Sequence, residues 1–240
     1  MIEIKEGAFV ISDAHHSHKR PQLLNFFKDI QSKKYQPTQL ILMGDIFDVL
    51  IGGIAKTIEQ NKEIVEVLKD ISKDIDVIYL EGNHDFNLKS IFKNIKVYRL
   101  SQQPLECLAN GKTTYLAHGD FSAPVGYRIY TFFIRNRFIL LILNTINKLF
   151  NNLILNKLDN YLDKKDDCKK IENFEQIIKK RIENKFDCEY FIEGHFHQDS
   201  LLKLKNCNYI NLGAFACNQR YFVVKFANKE LLLGNKYLGD

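Results

Sequence analysis

The chain has 240 residues, 45% of them hydrophobic, and a formal net charge of +5. That length supports one domain with a substantial core and room for an insertion. Five scattered cysteines form no CxxC pair, which excludes zinc-finger spacing, and they read as reduced thiols of a cytosolic protein. The first residues, Met1-Ile2-Glu3-Ile4-Lys5-Glu6, lack the basic region and apolar core of a signal peptide, so no export is expected.

In chain order, apolar strand-like runs at Ala8–Ser12, Leu40–Met43, Val77–Glu81, Thr113–Ala117 and Tyr190–Glu193 each end in a short polar motif. The motifs are Asp13-Ala14-His15, Gly44-Asp45-Ile46-Phe47-Asp48, Gly82-Asn83-His84-Asp85, His118-Gly119-Asp120 and Gly194-His195-Phe196-His197. Strand ends gather side chains from distant parts of a chain around one crevice of an open α/β sheet. Pro21–Lys33 and Ile54–Ile71 carry apolar residues at helical spacing, and strands alternating with helices predict an α/β fold. Tyr221–Phe226, a turn at Ala227-Asn228-Lys229-Glu230 and Leu231–Leu233 predict a closing hairpin.

Carboxylates, imidazoles and one carboxamide in this pattern suit two divalent ions about 3.5–4 Å apart, which activate a water and neutralise phosphoryl charge. Such donors favour Mn, with Fe or Zn as alternatives, over a thiolate site. In an extended segment Asp13 and His15 would point to the same side, as would His195 and His197. Asp45 follows a glycine that lets the backbone turn, which makes it the natural bridging carboxylate. Asp48, Asp85 and Asp120 read as partners that orient ligands or cap turns, and His16 and His18 as loop residues.

The five motifs resemble those of the calcineurin-like metallophosphoesterase superfamily from about Ile11 to Gly213. The resemblance implies a four-layer α/β/β/α sandwich. It also implies a first metal held by Asp13, His15, Asp45 and His197, and a second by Asp45, Asn83, His118 and His195. His84 takes the place of the superfamily's catalytic histidine, and Asn83, His84 and His195 are expected to meet the substrate.

About seventy-five residues separate His118 from His195, and a helical lid is expected at about 122–186. Ile139, Ile142, Leu143, Ile146, Leu149, Phe150 and Leu153 repeat at helical spacing, with Asn144, Lys148, Asn151 and Asn152 opposite. The polar Asn151–Asn152 and Asp159–Lys170 stretches suggest turns between helices. Residues 127–158 hold five basic side chains (Arg128, Arg135, Arg137, Lys148, Lys157) and no acidic one. The segment reads either as a helix packed on the core with a solvated basic flank, or as a lid, apolar beneath and basic at its edge, which suits an acylated, phosphorylated substrate and an anionic membrane surface. Here the chain resembles the UDP-2,3-diacylglucosamine pyrophosphatases of the lipid A pathway, whose best-known members carry Arg in place of His84 and Leu in place of Ala14. The resemblance implies cleavage to UMP and 2,3-diacylglucosamine 1-phosphate at the cytoplasmic face of the inner membrane. The alternative is a phosphoesterase for another nucleotide or diphosphate. No obligate protein partner is expected, and no nucleic acid, because the basic segment is aliphatic rather than interleaved with stacking aromatics. A non-catalytic scaffold would have shed ligand residues, whereas all seven are present.

Overall fold

The computed structural model describes residues 1–240 except 163, 165, 229, 239 and 240. In chain order the elements begin with β1 (Ile2–Ile4), β2 (Phe9–Ile11), α1 (Gln22–Gln31), β3 (Gln39–Leu42), β4 (Leu50–Ile51), α2 (Ala55–Gln60) and α3 (Lys62–Asp74). Next come β5 (Asp76–Leu80), β6 (Asp85–Phe86), β7 (Lys96–Tyr98), β8 (Leu105–Ala109) and β9 (Lys112–Ala117). Four helices follow: α4 (Val125–Ile134), α5 (Arg137–Leu149), α6 (Leu153–Leu162) and α7 (Phe174–Ile182). The chain closes with β10 (Tyr190–Glu193), β11 (Ser200–Lys203), β12 (Asn208–Asn211), α8 (Phe215–Asn218), β13 (Arg220–Ala227) and β14 (Glu230–Tyr237).

Two six-stranded sheets, ordered β1-β8-β9-β10-β12-β11 and β14-β13-β2-β3-β5-β7, pack face to face. Alternation along the strands explains why. In β5, Ile78 and Leu80 join Ile41, Leu116, Ile192 and Phe222 in the core between the sheets. Val77 and Tyr79 point the other way, against Phe27 and Ile30 of α1 and Leu68 of α3. On the far face of the other sheet, Ile178 and Ile182 of α7 cover Phe191 and Tyr209. The result is the expected order of helix, sheet, sheet, helix.

All five predicted strands form within a residue or two of their expected bounds. The hairpin also forms, as β13 and β14 paired from Arg220↔Tyr237 to Ala227↔Glu230, although Lys229 of its turn lies outside the described residues. The predicted Ile54–Ile71 helix is instead two helices broken at Asn61, whose carboxamide donates to Val49 O (3.1 Å) and Thr57 O (2.8 Å). The chain turns at Asn151 and Asn152, both left-handed. Of the polar Asp159–Lys170 stretch, Asp159 is still within α6, and residues 163 and 165 lie outside the described residues.

The cysteines depart from expectation. Cys168 and Cys217 form a disulfide across 49 residues, because α8 returns beside the segment that follows α6. Only Cys107, Cys188 and Cys207 are free, and all three are buried.

Candidate metal centre

The five motifs converge where β2, β3, β5, β9 and β10 end. Three sets of donor atoms lie close together: Asp13, His15 and His197; His15, Asp45 and His84; and Asp45, His118 and His195. His15 and Asp45 each belong to two sets and so join them into one cluster. Asn83 completes it, with its Oδ1 3.2 Å from His118 Nε2. Every predicted ligand residue, with His84, is therefore brought together.

The backbone does this differently from the sequence expectation. Asp13, His15, Asp45, His195 and His197 all have φ between 45° and 63°, in the left-handed region that non-glycine residues seldom adopt. Extended alternation does not aim these pairs; tight loops at the strand ends do. Gly44 (φ 88°) sits so close that a Cβ there would fall 2.5 Å from His118 Nδ1, and one on Gly82 would lie 2.2 Å from Asp45 Oδ1.

Hydrogen bonds behind the rings orient them. His118 Nδ1 faces Met43 O at 3.0 Å, His84 Nδ1 faces Asp48 O at 2.8 Å, and His197 Nδ1 bonds Asp167 O. A carbonyl only accepts, so these nitrogens donate and each Nε2 is turned to the site. Around His118 Nε2 stand Asn83 Oδ1 (3.2 Å), His195 Nδ1 (3.2 Å) and Asp45 Oδ2 (3.4 Å). Acceptors facing one another at these distances need a proton or a cation among them. His15 is fully buried, yet neither ring nitrogen has a hydrogen-bond partner. The donor set thus fits divalent cations, with Asp45 common to two of the three groups of donor atoms.

The charges agree. Burial resists ionisation of Asp45, but His118 and His84 outweigh it and hold the carboxyl well below the usual carboxylate range. Asp13 is lowered likewise, with His197 at 3.0 Å opposing its burial. Burial and neighbouring His118 push His195 down to about 3, leaving it a neutral donor. Asp85 lies behind the loops, accepting from Tyr79 Oη and the backbone N–H groups of Asp45, Ile46 and Gly82. Burial, with Asp45 nearby, raises it to about 7. His16 is outside the cluster, with Nδ1 3.1 Å from Arg20 O.

Two braces escaped the sequence reading. Arg135, which follows α4, bonds Glu81 Oε2 (3.0 Å) and Gly82 O (2.7 Å). Arg181 on α7 bonds Glu193 Oε1 (2.7 Å) and Gly119 O (2.7 Å). Each arginine neutralises a buried glutamate that immediately precedes a motif glycine, and each grips the peptide beside a ligand residue. The repeated Glu-Gly at two strand ends was the available signal; the partner arginines lie 54 and 12 residues away. A third contact, Arg20 with Asp48 and Asp167, ties two of the carbonyl-bearing residues that orient His84 and His197.

Above the centre, α4, α5 and α6 roof a cavity of about 320 Å³. Asn83, His84 and Arg135 form its end at the metal centre, while Ile51, Phe86, Leu140, Leu143, Ile154 and Leu155 supply apolar walls. The expected facing of α5 holds only in part: Leu143 lines the cavity and Lys148 is exposed, but Asn144 faces inward, with Asn147, while Ile142, Ile146 and Leu149 are exposed. No single described helix is long and apolar enough to cross a membrane, and α4 and α5 together are bent by 70°.

Known proteins bear on this arrangement. A UDP-2,3-diacylglucosamine hydrolase from Ectopseudomonas mendocina is 29% identical over 82% of this chain and 83% of its own length. One from Pseudomonas fluorescens is 25% identical over 82% and 81%. Among solved structures, the phosphoesterase Yfce from E. coli covers 97% of this chain and 99% of its own at 12% identity, with a TM-score of 0.46. The calcineurin-like phosphoesterase profile matches residues 8–199. Because that profile spans all five motifs that build the centre, the protein belongs to the calcineurin-like phosphoesterase family and is a metal-dependent hydrolase.

Proposed function

We propose that the protein hydrolyses the pyrophosphate of UDP-2,3-diacylglucosamine to UMP and 2,3-diacylglucosamine 1-phosphate. The observation that carries this reading is the apolar cavity ending on Asn83 and His84, beside the centre. A hydrolase of a small nucleotide has no use for such walls, whereas two acyl chains do. The named relatives support the same substrate.

Bound at Asp13, His15, Asp45, Asn83, His118, His195 and His197, two divalent ions, Mn most suitably, would supply a nucleophile at neutral pH and offset phosphoryl charge. Asp45 lies between the two ligand sets and fixes their separation. Asn83, held through the Arg135 contact to Gly82, presents its carboxamide to a phosphoryl oxygen. His84 is positioned by Asp48 O, so its Nε2 meets the phosphate or, when the ring carries a second proton on Nε2, hands that proton to the leaving oxygen. His195, kept neutral, contributes to the same phosphate pocket.

In this reading residues 122–186 are an insertion in which α4–α6 form the lid. Its outward Phe132, Phe138, Leu149 and Phe150, with Arg128, Arg137 and Lys148 nearby in sequence, suit the surface of an anionic bilayer, where the substrate resides. In this reading a nucleotide-activated substrate argues for the cytoplasmic face. Sedimentation with phosphatidylglycerol-containing vesicles tests this, and Leu149→Glu with Phe150→Glu should reduce binding. Mass spectrometry of products from the diacylated nucleotide with Mn²⁺ tests the reaction; release of UDP, or no cleavage, overturns it.

A further inference from the structure

Helix α5 turns a stripe of Leu140, Asn144 and Asn147 inward, although this leaves Leu141 and Leu149 in contact with solvent. An amphipathic helix ordinarily does the reverse, so each buried asparagine needs a reason. Asn147 has one: its Oδ1 accepts from Ile154 N (3.1 Å) and Leu155 N (3.2 Å), capping α6, and its amide donates to Asn152 Oδ1 (2.9 Å). Asn144 has none. It is 8% exposed, it lines the cavity beside Leu140 and Leu143, and its Oδ1 is buried without a hydrogen-bond partner. A buried carbonyl oxygen lacking a donor is unfavourable, and native proteins keep few of them.

We infer that Asn144 is a specificity-determining residue whose Oδ1 accepts a hydrogen bond from a donor carried on the acylated part of the ligand. This rests on the substrate proposed above, which narrows the donor. Unsubstituted acyl chains offer no donor and an ester linkage only acceptors. The amide joining one chain to the sugar nitrogen offers a single N–H, and it lies where sugar and acyl chain meet. The cavity runs from Asn83 and His84 to apolar walls, and Asn144 is a polar acceptor among those walls. A ligand bearing an ester in place of the amide would bury this carbonyl unpaired and set its own oxygen against it. Sites built to bond a substrate donor reject analogues that lack it for this reason. Asn144 therefore selects amide-linked acylated sugars over diacyl lipids joined only by esters.

The test compares kcat/KM for UDP-2,3-diacylglucosamine with that for the analogue carrying oxygen in place of the sugar nitrogen. The wild-type protein should prefer the amide by about tenfold or more, the scale of one buried hydrogen bond. In Asn144→Leu that preference should fall toward one, mainly through a raised KM for the amide substrate. Its unfolding midpoint should not drop, because an apolar group replaces an unpartnered carbonyl. Equal treatment of the two substrates by the wild-type protein overturns the inference, and so does a preference that survives in the variant. Should the wild-type protein cleave a soluble phosphodiester but neither acylated nucleotide, the proposed substrate falls, and the role of Asn144 with it.

Discussion

Replacing Cys217 with serine, or reducing and alkylating the native chain, removes the one cross-link among the described residues. The bridge closes a loop of 49 residues that holds α7, β10 and the last histidine motif. For a loop that long, the lost restriction of the unfolded chain amounts to about 4 kcal/mol at 25 °C. Domains are stable by about 5–15 kcal/mol, so this is a large share. With a urea slope of about 3 kcal/mol per molar, the unfolding midpoint should fall by roughly 1.3 M. The effect should also reach the metal centre, because Asp167, next to Cys168, presents the carbonyl that orients His197. Paired urea titrations of wild type and Cys217→Ser, followed by tryptophan-independent far-UV circular dichroism, measure the shift. Thiol titration of the denatured, unreduced wild type should find the three free cysteines. Five thiols in protein from freshly lysed cells, or coincident midpoints, would refute the reasoning.

Asp45→Ala should lower metal content from two ions per chain and abolish hydrolysis, as chelation should, because Asp45 stands in two of the three donor sets; plasma mass spectrometry of the dialysed variant decides, and full occupancy counts against a bridging role. His84→Ala should reduce kcat by about 10²–10⁴ while leaving metal content intact, and an unchanged kcat/KM would remove His84 from the chemistry. Arg181→Ala leaves Glu193, which is 0% exposed, buried without its cation and should cost about 3–5 kcal/mol near neutrality. Burial already raises the Glu193 pKa in the folded protein, and losing Arg181 raises it further. Such a group stabilises the fold fully below its unfolded pKa of about 4.3, and this is lost as pH rises through the folded value. The deficit should therefore grow from mildly acidic to neutral pH, and a deficit that does not change with pH would contradict this account.

The strands and the ligand cluster were legible because both depend on local pattern. Apolar runs such as Val77–Glu81 specify a strand, and the polar motif after each must leave the sheet. Aim was not legible: Asp13 and His15 converge through left-handed loops rather than strand alternation, since nothing in the motif reports φ. Nor was the facing of α5. Its periodicity defines two faces but not which is covered, and a helix that roofs an apolar cavity can leave leucines outside and asparagines within. The Arg135, Arg181 and Cys168–Cys217 contacts are products of tertiary folding: the repeated Glu-Gly marked the glutamate of each brace, but nothing local marked its arginine or paired the two cysteines.

The left-handed loops at Asp13, His15, Asp45, His195 and His197 set stability against activity. An L-residue held there costs roughly 1–2 kcal/mol that glycine avoids. Five such positions hold roughly 5–10 kcal/mol of conformational energy, comparable to the whole net stability of a small domain. In metal-free protein, glycine at His15 or His197 should relax the backbone while removing a donor, so these positions are ones where loss of function and gain in thermal tolerance coincide. A selection for thermostability alone would drift toward a sturdier, inert protein, and only turnover holds these side chains in place.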